Sequence, residues 1–142
     1  RLIQVMLSPT LPPVQDLPER ENKNRTHAFT TLGKLCIRDA KLAKNCVNLF
    51  ARELYSEEGH CNPSVQSNAL LVLGDLCVRY TNIVDLQLPA MAACLQSGIK
   101  NLGIDSSATN DDMQKSALVR KHAVLLLSSL LLQDFIKFRG LL

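Results

Sequence analysis

The sequence predicts an all-α chain, an α-solenoid of about three helical hairpins stacked side by side. Three observations lead there. Residues 65–80, VQSNALLVLGDLCVRY, place Val65, Ala69, Val72, Leu73, Leu76, Cys77 and Tyr80 on one face of a helix, with Gln66, Asn68, Asp75 and Arg79 opposite. The pattern recurs. Ala28, Leu32, Gly33, Leu35, Cys36 and Arg38 match Ala69, Leu73, Gly74, Leu76, Cys77 and Arg79 at a constant shift of 41 residues, and Ala123, Leu127, Ser128, Leu130 and Leu131 take the same positions 54 residues further on. Aromatic residues make up only 4% of the chain, so leucine, valine and alanine carry the apolar content, which suits packed helices. A period near 41 is that of HEAT and armadillo units, whose hairpins bury a continuous core by stacking on their neighbours.

Residues 1–8, with Leu2, Ile3, Val5, Met6 and Leu7, read as the end of a preceding helix, and the chain reads as a piece of a longer protein. Residues 9–23 carry Pro9, Pro12, Pro13 and Pro18, a density that no helix interior tolerates, and read as a linker. The repeat array is expected over 24–142, as hairpins at 24–55, 63–96 and 114–142 with a polar loop at 97–113. In the first hairpin Ala28, Leu32, Leu35 and Cys36 should face inward, and Asp39-Ala40 should turn the chain into a second helix carrying Leu42, Cys46, Leu49, Phe50 and Leu54 on one side. So short a turn forces antiparallel packing. In the second hairpin Asn62 reads as an N-cap before Pro63, and Pro89 should interrupt the partner helix. In the third, Asp134 should cap a helix starting at Phe135-Ile136.

Gly33 and Gly74 lie in mid-helix, where glycine costs about 1 kcal/mol against alanine. Ser128 takes the equivalent place in the third copy. Small residues recurring there predict close approach by a neighbouring helix.

Catalytic chemistry finds no footing. There is no P-loop, G-x-G-x-x-G, G-x-S-x-G or H-E-x-x-H motif. His27, His60 and His122 stand apart, and His60-Cys61 has no second pair at zinc-site spacing. The five cysteines, with no C-x-x-C, read as reduced and partly buried thiols. The longest apolar run, 123–132, is about half a membrane span. The reading is therefore a non-enzymatic chain without cofactor, metal, membrane or small-molecule substrate.

The net charge of +3 is mildly basic and permits contact with nucleic acid without arguing for it. The residues that would make such a contact are Arg25, Arg38, Arg79, Arg120 and Lys121. Stacking would bring Arg38 and Arg79 to one end of the hairpins and Arg25 and Arg120 to the other, a ladder that could meet phosphates. Scarce aromatics disfavour base stacking.

The stretches LGKLCIRDAKLAKNCV at 32–47, LCVRYTNIVD at 76–85 and LLQDFIKFRG at 131–140 resemble the HEAT-repeat D-type subunits of condensin, most closely those of condensin II. The resemblance spans roughly 24–142. It implies a non-catalytic subunit, in the nucleus and on chromosomes, that binds the kleisin, works with the SMC ATPase pair, and serves chromosome condensation and segregation in mitosis. Chromatin or DNA contact is implied for subunits of this kind. A different HEAT adaptor, such as a nuclear-transport receptor or coat subunit, is the alternative. Two departures stand out. The segment 97–116 is longer and more polar than the tight acidic turn of the family, and Gln66 replaces a favoured arginine, which predicts the loss of one polar contact between repeats.

Overall fold

The structure, a computed structural model, describes residues 19–55, 63–96 and 110–136. All regular elements among them are helical. In chain order they are α1 (Glu19–Arg38), α2 (Ala40–Arg52), α3 (Pro63–Arg79), α4 (Thr81–Val84), α5 (Leu88–Ala93) and α6 (Asn110–Leu132). Two single 3-10 turns, Asp85–Gln87 and Cys94–Gln96, flank α5. The expected helix tail at 1–8, the Asn62 cap, Cys61 and residues 137–142 lie outside the described residues.

The long helices α1, α3 and α6 pack in a row, α1 on α3 and α3 on α6, while α2 closes against both α1 and α3. This is the all-α HEAT-type solenoid that the repeat predicts. One continuous core runs through it, from Phe29, Leu32 and Phe50 through Leu70, Leu73 and Leu76 to Val119, Ala123 and Leu127. Phe29 and Phe50 meet across the first hairpin with ring centroids 5.7 Å apart and tilted planes.

The glycines mark where the row is tightest. A Cβ on Gly33 would lie 2.6 Å from Val72 Cγ2, and one on Gly74 would run into the side chain of Leu126. Val72 and Leu126 occupy the same repeat position, two residues before Gly74 and Ser128. Each first helix thus drops a branched aliphatic side chain into the notch left by the small residue of the helix before it.

The two described turns share a register but not a chemistry. Asp39 is extended and N-caps α2, its carboxylate accepting from Lys41 N at 2.9 Å and Leu42 N at 3.2 Å. Tyr80, its equivalent, has no side-chain cap bond, and its hydroxyl instead donates to Ile37 O at 2.9 Å, across the interface between repeats. The partner helix of the second hairpin is broken as Pro89 requires, for Pro89 stands in the first turn of α5 where its missing N–H has no helical partner to lose.

Several expectations are corrected. α1 begins at Glu19, inside the segment assigned to the linker, and α6 begins at Asn110, inside the segment assigned to the loop. No helix starts at Phe135 within the described residues. Asp134 adopts a left-handed φ of 60°, and Asp134 N and Phe135 N donate to Leu131 O and Leu130 O. These two bonds form a Schellman motif that closes α6 and folds Ile136 back onto the core. Leu35 is 44% exposed rather than inward. Its equivalents Leu76 and Leu130 are covered by the preceding first helix, which α1 lacks among the described residues.

Candidate partner-binding surface

Gln66 shows how the register decides what faces out. The sequence puts it on the polar side of its helix, yet it is buried, and its Nε2 donates to Leu54 O at 3.1 Å. Its neighbour Ser67 is buried as well, with no hydrogen-bond partner for Oγ. Helix α3 has a helix on either side, so only a narrow outer strip remains wet. The polar link between repeats thought lost with the arginine is made by Gln66, which serves the carbonyl at the end of the first hairpin.

The four basic candidates whose side chains the structure describes fall into two groups. Arg38 and Arg79 are exposed in the last turns of α1 and α3, where the helix C-terminus favours a cation. The bond from Tyr80 to Ile37 O joins those two helix ends. The Arg79 guanidinium lies 5.5 Å from the centroid of the Tyr80 ring, which orients it beside that junction. Gln133 holds the equivalent place just past the end of α6, so the pair does not extend to a third rung.

Arg120 and Lys121 belong elsewhere. Arg120 is half-buried at the register of Gln66, and Lys121 is exposed at the register of Ser67, on the side of α6 away from α3. The Arg25 side chain lies outside what the structure describes. The structure brings Arg38 and Arg79 together and does not place Arg120 or Lys121 on their strip. Tyr80 was missed as the residue that sets this edge; its aromatic ring at the register of the Asp39 cap was the available signal.

Cys36, Cys77 and Cys94 are held as thiols. Burial pushes Cys36 up to about 12, with Cys46 beside it and the Asp39 charge adding to the rise. Burial alone takes Cys94 to about 11, and burial with the charge of Asp85 raises Cys77. A protonated buried thiol is neither nucleophile nor metal ligand. Among the described residues no three or more His, Cys, Asp or Glu side chains gather as a metal site would need, and no helix is long and apolar enough to cross a membrane. His27 is exposed, while His122, its repeat equivalent, is half-buried against α3 with no hydrogen-bond partner for Nδ1.

Comparison with known proteins shows similarity along most of the chain. A family model described as condensin-2 complex subunit D3-like, HEAT repeats, matches residues 8–54. The condensin-2 complex subunit D3-L of Xenopus laevis is 34% identical over 135 residues, covering 91% of this chain and 8% of that protein. The condensin-2 complex subunit D3 of Mus musculus is 33% identical over 116 residues, 82% of this chain and 6% of that protein. The condensin-2 complex subunit CAP-D3 of Arabidopsis thaliana is 30% identical over 117 residues, 82% of this chain and 7% of that protein. The chain therefore spans less than a tenth of the length of these relatives. No solved structure matches it.

Proposed function

The chain belongs to the condensin-2 subunit D3-like family of HEAT-repeat proteins, and from that premise we propose that it is a non-catalytic scaffold within a condensin complex. In this reading it holds the kleisin and, through it, the SMC pair, and it acts in the nucleus on chromosomes during mitotic condensation and segregation. The observation that carries the proposal is similarity running through 91% of the chain to a condensin-2 subunit, joined to a fold that offers extended surface. Recovery of the tagged protein from mitotic cells tests it. Co-purification of a kleisin and SMC subunits is expected, and recovery with transport cargo or coat components instead would overturn it.

Contact with DNA is proposed separately, through Arg38 and Arg79. Two cations fixed on one edge would meet phosphates without reading sequence. Binding should weaken steeply with salt, and Arg38→Glu with Arg79→Glu should lower the slope of log affinity against log salt by about 2. An unchanged slope would take this edge out of the DNA path.

A further inference from the structure

The outer strip of the stack changes character from α1 to α6. On α1 it carries exposed Lys23, Lys34 and Arg38 and half-buried Thr30 and Ile37. At the registers of Lys23, Thr30 and Ile37, α3 holds Ser64, Leu71 and Val78, and α6 holds Leu118, Leu125 and Leu132. These five apolar side chains are between 44% and 88% exposed. They form two rows with a spacing of seven residues, and Leu125 stands opposite Leu71 as Leu132 does opposite Val78, each pair 54 residues apart. The helices that bear them are in contact, locked by Leu126 against Gly74, so the two rows run along either side of the seam between the helices. At the first two of these registers the repeat does not require leucine, because α1 fills them with Lys23 and Thr30, whereas the third is apolar in all three helices. A contiguous exposed apolar patch of this kind marks a contact site.

We infer that the seam between the outer faces of α3 and α6 docks an amphipathic α-helix of a partner protein, with its apolar stripe between the leucine rows and acidic residues on the edge facing α1. One helix fits between two such rows, the helix-in-groove mode. Charge biases the orientation, with more cations on the flank toward α1 than the exposed Lys121 on the far side of α6. The flank toward α1 presents Lys34, Arg38 and Arg79, and Asp75 is the single acid on the described outer strip. The site goes beyond the proposed DNA contact, since it depends on leucines that no phosphate needs.

Photo-crosslinking in the assembled complex tests it, with Leu125→p-benzoylphenylalanine in the chain as the cell makes it. The expected product joins position 125 to a partner segment with apolar residues at i, i+3 or i+4, and i+7, and an excess of Asp and Glu. Leu132→Asp, Leu71→Asp and Lys34→Glu should each cut the yield at least about tenfold. Leu132 is 88% exposed, so its variant keeps the fold, and circular dichroism confirms this for all three. The uncharged Leu132→Asn should also cut the yield and leave DNA affinity unchanged, which separates this site from the arginine edge. Crosslinks to lipid, to nucleic acid, to a second copy or to another part of the same polypeptide would overturn the inference. So would a basic or non-helical target, or a yield no higher than from the same probe at Lys44 on α2.

Discussion

Gly33 and Val72 meet so closely that a single added methyl group on Gly33 would lie 2.6 Å and 2.8 Å from the two γ-carbons of Val72. Val72 is β-branched and fixed at χ1, so it cannot swing aside. Leu126 meets Gly74 with its flexible end, and Leu126 is only partly buried. The two glycines are equivalent by sequence but not in what a Cβ would cost.

Gly33→Ala should therefore destabilise the chain by about 1–3 kcal/mol, overpacking outweighing the gain in helix propensity. Gly74→Ala should lie within about 1 kcal/mol of the native chain, because Leu126 can rotate and alanine favours the helix. Chemical denaturation of both variants checks the order. Pairing Gly33→Ala with Val72→Ala should recover part of the loss, since the clash is removed.

Two of the hydrogen bonds between repeats sit at opposite ends of α3. Gln66→Leu leaves Leu54 O buried without this donor and should cost about 1–3 kcal/mol. Tyr80→Phe loses the bond to the part-buried Ile37 O and should cost about 0.5–1.5 kcal/mol. Helix α3 keeps the sites far apart, so the double variant should be additive within about 0.5 kcal/mol. A marked departure from additivity in urea titrations would mean that both ends act through one shared motion of the hairpin.

The turn of the first hairpin depends on one carboxylate. Asp39→Ala should cost about 0.5–2 kcal/mol through loss of the cap on α2, and Asp39→Asn should be close to neutral. Thermal melts of the two variants side by side separate capping from charge.

The thiols carry a pH dependence of definite sign. An unfolded chain releases the Cys36 proton near 9.0, whereas the folded chain holds it up to about 12. The folded state binds more protons in that window, so the thiol's contribution is fully present below pH 9 and is lost as pH rises toward 12. The slope is about 1.4 kcal/mol per pH unit for each such thiol. Urea unfolding above pH 9 should show a shallower decline in Cys36→Ala than in the native chain. Equal declines would mean that Cys36 ionises freely in the fold.

The amphipathic period and the shift of 41 residues determined that the chain is helical, that first helices recur, and that Gly33 and Gly74 are contact points, because these are properties of spacing along one chain. Pro89 announced its own break for the same reason. What faces water was decided by neighbours. Gln66 is buried and Leu35 exposed against their local pattern, because α3 is flanked on both sides and α1, among the described residues, on one. The Schellman close at Asp134 depends on backbone bonds that an aspartate before two apolar residues does not reveal. On the candidate surface, Arg38 and Arg79 were legible as repeat equivalents at one end of the hairpins, apart from Arg120, and Leu71 and Leu125 as equivalents at one register. The place of Lys121 off that strip and the Tyr80 bond that joins the arginine edge exist only once three helices are laid side by side.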